Sequence, residues 1–392
     1  MAILTVGLNG QFATISAAVA AAKSGDTINV SADHTYTNDF PAIINKSLTL
    51  NAVGGEVKML ATVSPANGKA AIVEGGAGTH VTINGFDISG VKIGARNGAA
   101  VRYQGGSLTL TNDFFHNNQE GLLGAADPTG TISIDHSEFA ANGGNGGLSH
   151  NIYASGALAK LSITNSYFHD AVLGHEIKSF ATTNVITGNR IFDNAGSSNY
   201  SIDLPKGGNA NISHNVIEQG PNSPNFWMFS VGENGTENPG TVAIDNNTIV
   251  NDRANGHGIV NASPTPVQFN GNSVWSATPV PPLPNSGPVT AAGNVSLATR
   301  PTLDLSHMQF VSSRGGSTGG VTSSPPTSGS PPSGETLAQY HDAVWSDFMA
   351  WEPTHTALAA QPSTLVVLST ELNSTTVLGA VAGDLWTPHQ TP

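Results

Sequence analysis

The 392-residue chain contains no cysteine. That absence excludes a disulfide framework and any thiolate metal site, and it leaves the redox compartment unmarked. Basic residues are scarce: 14 Lys and Arg stand against 27 Asp and Glu, for a formal charge of -13. A phosphate-binding surface needs clustered Lys and Arg, so nucleic acid is excluded as a partner, and any grouped basic residues gain weight. No apolar run reaches the roughly 18 residues of a membrane span. The first residues, Met1 to Ala22, lack a basic leader and are broken by Asn9, Gly10 and Gln11, so no N-terminal signal peptide is read there. Only 10% of residues are charged and 6% aromatic.

What is abundant is glycine, 45 residues, together with Asn and Thr. These residues suit tight turns and short strands, because Gly and Asn tolerate the left-handed backbone that turns require. One phrase recurs along the chain: apolar-x-apolar, a polar step, an Asn, then two bulky residues. It runs through Leu48-Thr49-Leu50-Asn51, Val81-Thr82-Ile83-Asn84, Leu108 to Phe115, Ile132 to Phe139 and Leu161 to Phe168. It continues in Val185 to Phe192, Ile212 to Ile217, Val242 to Ile249 and Val267 to Val274. Its Asn positions, Asn51, Asn84, Asn112, His136 (a substitution), Asn165, Asn189, Asn215, Asn247 and Asn272, recur about every 27 residues. That period is too short for strand-helix-strand units and suits a solenoid coil of three short strands joined by turns of variable length. The expected fold is all-β, a right-handed parallel β-helix over residues 1–300. The Asn column reads as a structural ladder, and Phe115, Phe139, Phe168 and Phe192 as an internal aromatic stack.

Ahead of the coils, Ala13 to Lys23 has helical spacing with Gly25 as its stop. A helix there would cover the open end of a solenoid, which otherwise exposes core and strand edges. Residues 301–334 shift in composition, and Gly315 to Gly334 reads as a Gly/Ser/Pro-rich linker. The tail, 335–392, holds an amphipathic stretch, Glu335 to Trp351, and an apolar one, Thr364 to Leu385, with no Lys or Arg. Two readings stand for it: an uncleaved type I secretion signal of a bacterial protein, or a small docking or oligomerisation segment.

Three phrases repeat more strictly: Ser149-His150-Asn151-Ile152-Tyr153, Gly174-His175-Glu176-Ile177-Lys178 and Asn199-Tyr200-Ser201-Ile202-Asp203, in two equal steps of 25. If the three Ile point inward, strand alternation sends their neighbours outward. Two outer columns are then expected, Asn151/Glu176/Ser201 and Tyr153/Lys178/Asp203. The column His150/His175/Tyr200 has inward parity unless a bend at the strand start exposes it. So many ionisable residues on three successive coils form the composition of an active site. The plainer reading of Lys178 between Glu176 and Asp203 is a surface ion pair of little energetic weight, and of the two histidines a buried, hydrogen-bonded stack.

Tyr and Lys on a polyuronate suit β-elimination: a base takes the proton at C5 and an acid donates to the departing O4. The carboxylate beside C5 must be neutralised by a cation, an amide such as Asn151, a protonated acid such as Glu176, or a metal. Lys178 as base with Tyr153 as acid, and the reverse, fit the sequence equally. His150 and His175 are candidates to orient this pair or hold the carboxylate. Arg190 and Lys206 add positive charge that could meet an anionic chain at neighbouring subsites. A hydrolase would need two opposed carboxylates, for which Glu176 and Asp203 are the pair.

The segment GQFATISAAVAAAKSGDTINV resembles the entry of the pectate-lyase-like superfamily of right-handed parallel β-helices, which implies carbohydrate-active enzymes as well as adhesins and tailspikes. HNIY followed by HEIKS resembles bacterial β-helical alginate and glucuronan lyases, and that resemblance implies Tyr153 and Lys178 as the catalytic pair. The vicinal Asp pair with the Gly-His and Arg-x-Lys phrases of polygalacturonases is missing, as is the Tyr-Gly-Phe-Asp-Pro-His phrase of mannuronan epimerases. The expectation is a secreted or cell-surface bacterial polysaccharide lyase, monomeric, with an anionic polysaccharide as partner. The alternatives are a glycoside hydrolase or epimerase on the same scaffold, and a non-catalytic adhesin. No cofactor is expected; Ca2+ use stays open, since the acidic residues form no recognisable calcium loop.

Overall fold

The computed structural model describes residues 1–305 and Met308, apart from Asn145, Ala195, Thr236, Glu237 and 279–284. It is a parallel β-helix in which every strand pairs in parallel with its counterpart one coil away. Each full coil lays one strand on each of three faces. The third face is a separate 11-stranded sheet. The other two fuse into one 19-stranded sheet, because Ile152–Thr164 and Ile177–Thr187 run unbroken around the corner between them. Inside, apolar residues stack in register: Leu50, Ile83, Leu110, Ile134, Ile163, Ile186, Ile212, Ile244 and Phe269 form one column on the second face. On this face alternation does the sorting, since inward residues are buried and their neighbours are mostly half-buried or exposed.

Among the described residues a single helix, Ile15–Ala21, closes the N-terminal end, within the expected span. Thr14 caps it by accepting from Ala17 N at 3.2 Å, and Asp39 takes the orphan N–H groups of Ile15 and Ser16. Ile15, Ala18 and Val19 are buried against the first coils, so the helix covers core that a bare coil would expose.

Two sequence expectations shift by one or two residues. The nine-member Asn column is three neighbouring columns. Asn51 and Asn84 pair within their strands; Asn112 donates to Asn84 Oδ1 at 2.9 Å from the next position, where Asn112, His136 and Asn165 all have φ near +50°. Asn189, Asn215, Asn247 and Asn272 sit one step further on and point inward. Asn215 Nδ2 donates to Asn247 Oδ1 (3.0 Å) and Ile186 O (2.8 Å), and its Oδ1 accepts from Asn189 N and Nδ2 (2.8 and 3.0 Å). Asn suits both the left-handed corner and the inward ladder, and the motif merges the two. Phe192 likewise leaves the aromatic stack. Phe115, Phe139 and Phe168 stack with centroids 5.1 to 5.2 Å apart, but the next position is Ile191. Phe192 faces outward.

After the last paired strand, Val295–Ser296, the chain turns back along the third face. Leu297 N donates to Val274 O, Arg300 makes a two-pronged ion pair with Asp252 (2.6 to 3.0 Å), and Asp304 O accepts from Arg190 Nε. Leu305 and Met308 pack on Tyr167 and Phe192. This strap includes the first residues of the segment read as a linker. The Gly315–Gly334 stretch, the helix expected over Glu335–Trp351 and the rest of the tail lie outside the described residues. No helix among those described is long and apolar enough to cross a membrane.

Candidate active site

The equal 25-residue steps place the three phrases in direct register on the first face. Ile152, Ile177 and Ile202 pair across successive coils, and so do Tyr153, Lys178 and Asp203. The three Ile are buried in the core, so Tyr153, Lys178 and Asp203 project outward, one above the other. Lys178 Nζ lies 3.1 Å from Asp203 Oδ2 and 5.8 Å from the centre of the Tyr153 ring.

The second expected outer column is not outside. Asn151, Glu176 and Ser201 are buried. The strands begin at Ile152, Ile177 and Ile202, so the preceding residues belong to the bend, where two-residue alternation no longer holds. Asn151 donates to Glu176 Oε2 (2.5 Å) and His169 O (3.0 Å), and Glu176 Oε1 accepts from Ala171 N (2.9 Å). Burial, reinforced by Asp193 and Asp170, pushes the Glu176 carboxyl up to about 8. It is a turn clamp, and it does not oppose Asp203 across a cleft as a hydrolytic pair would require.

The same bend brings His150, His175 and Tyr200 beside the outer column. His150 and His175 stack at 4.5 Å and 13°, Tyr200 follows at 5.1 Å, and His150 meets the Tyr153 ring edge-on at 5.0 Å. Each imidazole receives a backbone N–H from the next coil: His175 N donates to His150 Nδ1 (2.9 Å), and Tyr200 N to His175 Nδ1 (3.2 Å). Nδ1 is therefore unprotonated and Nε2 carries the hydrogen. Burial holds both rings well below the usual histidine range, helped by Lys178 and, for His175, by His150. They are neutral N–H donors. His175 Nε2 lies 3.6 Å from Asp203 Oδ2, and neither that nitrogen nor Asp203 Oδ1 completes a hydrogen bond.

The other expected cations divide. Lys206 stands at the corner that ends Ile202–Leu204, its carbonyl held by Asn238 N. Arg190 is on the third face, tied to Asp304 O and Asn189 O, and takes no part in this group.

Two acids join the site that the repeat did not announce. Glu120 pairs into the coil above His150, with Oε2 accepting from His150 N at 2.7 Å. Burial raises its carboxyl well above the usual range, against the pull of His150 N–H, Arg102, Ser149 and Lys178. Glu120 precedes His150 by 30 residues, so the loop that lengthens this coil hides the match. Glu233 arrives from the turn after Trp227–Val231 and accepts from Tyr200 Oη at 3.1 Å. No periodicity could have found it.

Along the outer column, Val73, Arg102 and Leu123 are buried, Tyr153 is half-buried, Lys178 keeps 12% of its side-chain surface exposed, and Asp203 and Ser230 are again fully buried. Ala70, Val73, Ala99 and Leu123 form a small apolar cluster outside the core, against which Tyr153 packs. Beside Tyr153 the ladder slips: Ala154 pairs with Ser179 but Leu158 with Ala181, leaving Ser155, Gly156 and Ala157 to bulge where the partner coil has one residue. Bulges of this kind mark re-aimed side chains. Among the described residues no group of three or more His, Asp or Glu is arranged to hold a metal ion. Comparison with known proteins finds no match to a family model, to a curated protein or to a solved structure.

Proposed function

We propose that the chain is a polysaccharide lyase cleaving a uronic-acid polymer of the alginate or glucuronan type by β-elimination, with Tyr153 and Lys178 as its acid/base pair. The observation that carries this reading is the outer column of the first face. Between Val73 and Ser230, Tyr153 and Lys178 are its two members with solvent access, and they stand directly above one another beside two buried, neutral imidazoles. The resemblance of HNIY and HEIKS to β-helical alginate and glucuronan lyases supports the same pair.

The contact to Asp203 has the geometry of an ammonium paired with a carboxylate, which favours Lys178 as the donor. Tyr153 is then the base. Its oxygen takes the C5 proton, the C5–H electrons form the C4=C5 bond, the C4–O4 bond breaks, and Lys178 returns a proton to O4. His150, edge-on to the Tyr153 ring, and His175, with Nε2 3.6 Å from Asp203 Oδ2, orient the acid/base pair from behind. Asn151 and Glu176, turned into the bend, act by holding the histidine-bearing strand start in place. A secreted or cell-surface bacterial setting, with the protein monomeric, accompanies this reading.

The test is incubation of the protein with alginate, glucuronan and polygalacturonate while following the ultraviolet absorbance of the C4=C5 product. A rise on at least one polymer is expected, lost in Lys178→Ala. Reducing ends without that absorbance would replace the lyase by a hydrolase, and neither signal would leave a binding scaffold or an epimerase.

A further inference from the structure

The outer face of a parallel β-helix is a ready-made trough, with coils about 4.8 Å apart along which a sugar chain could lie. This trough is interrupted on both sides of Tyr153 and Lys178. Toward the N-terminus the same column is closed at Leu123, Arg102 and Val73, and the neighbouring row at Glu120 and Ala99. The loop after Glu138–Ala140 reaches back over this region, where Ser149 Oγ donates to Arg96 O at 3.1 Å. Toward the C-terminus, Asp203 and Ser230 are closed off, and the turn after Trp227–Val231 folds up over them. Asn234 N donates to Pro205 O (2.9 Å), Asn238 Nδ2 to Phe180 O (3.3 Å), and Glu233 receives the Tyr200 hydroxyl.

The closure is local. One coil beyond Tyr200 the inner row regains solvent access at Trp227 and then His257. What stays open in between is a gap about two coils high, roughly 10 Å, with room for no more than two sugar rings.

From this we infer that the site is a pocket for the end of a chain, so that the enzyme is exo-acting and releases mono- or di-uronates. A polymer threading past Tyr153 and Lys178 along the axis would meet Leu123 and Arg102 on one side and the Glu233 turn on the other. A chain end entering radially meets neither. The inference rests on the lyase reading above and adds the mode of attack.

The experiment is a time course on the polymer that gives the absorbance signal, sized by chromatography and paired with viscosity. Mono- or di-uronates from the first turnovers, with viscosity falling only in proportion to the bonds cut, are the expected result. Early oligomers of mixed length with a collapse in viscosity would overturn the pocket while leaving the lyase intact. No absorbance on any polymer would overturn both. Glu233→Ala, which removes the acceptor that pins the C-terminal wall to Tyr200, should raise the share of longer products several-fold, and Glu233→Gln, which retains an acceptor, should not. An unchanged product profile in a folded Glu233→Ala protein would show that this turn is not the barrier.

Discussion

Two ladders of buried polar side chains run through the same coils and are built on opposite rules. In the Asn189–Asn215–Asn247–Asn272 ladder, each Asn amide bonds to the next rung and to a strand carbonyl. In the first-face group, His175 Nε2, Asp203 Oδ1 and Ser230 Oγ find no hydrogen-bond partner, and four coils up from His175 neither oxygen of Glu74 does. Unpaired buried groups cost roughly 1–3 kcal/mol each. The scaffold draws stability from the ladder it completes, and the incomplete one is where the proposed chemistry is placed.

The strongest way to break this comparison is to exchange the expected consequences. Lys178→Ala and Tyr153→Phe should lower kcat by roughly 10²–10⁴-fold. Tyr153→Phe should keep its thermal midpoint within about 3 °C of the parent, whereas Lys178→Ala also loses stability because it leaves Asp203 buried without its cation. A large loss of stability with little loss of turnover would make the first-face column a structural element. Next in size, Asn215→Ala strands Asn189 N and Ile186 O inside the core and should cost roughly 3 kcal/mol in urea denaturation. Asn112→Gly, at an exposed left-handed corner (φ 56), should stay within about 0.5 kcal/mol. Equal effects would dissolve the distinction between the two neighbouring columns.

The smallest effect is electrostatic. Burial pushes Glu74 and Glu176 up to about 8, Asp193 up to about 7, and Glu120 and Glu218 well above the usual range. Each binds its proton more tightly folded than unfolded, so the stabilisation is complete below ordinary carboxyl values and is lost as pH rises through the folded ones. His150 and His175 act the other way, but only below their unfolded value of 6.5. Stability should therefore fall from about pH 6.5 to pH 8, as read by thermal melts. Glu74→Met should flatten part of that slope and stabilise the protein at pH 8 by on the order of 1 kcal/mol. An unchanged slope would mean that Glu74 acquires a partner in solution.

The parts legible in the sequence were those governed by equal coil length. Ile152, Ile177 and Ile202 announced their register because nothing intervenes to change the 25-residue step, and the outward direction of Tyr153, Lys178 and Asp203 followed from alternation. Alternation failed one residue earlier, at Asn151 and Glu176, because a bend obeys hydrogen-bond demand in place of strand parity. Phe192 and the mixed Asn column failed by one position for a related reason, since adjacent residues of like type compete for one motif. Glu120 was hidden by a longer coil and Glu233 by arrival from a turn, and neither leaves a periodic trace.

The returning strap has a consequence for cooperativity. A solenoid is close to a one-dimensional chain of units, each stabilised by its neighbours, and such a chain frays from its ends. Leu305 and Met308 settle on Tyr167 and Phe192, which belong to the two coils that carry Tyr153 and Lys178 on the opposite face. The strap thus links the last coils to the middle of the array, so end-opening must either release it or disturb the coils of Tyr153 and Lys178. Amide exchange near Val274 should then rise and fall together with exchange near Ile177, although several coils separate them.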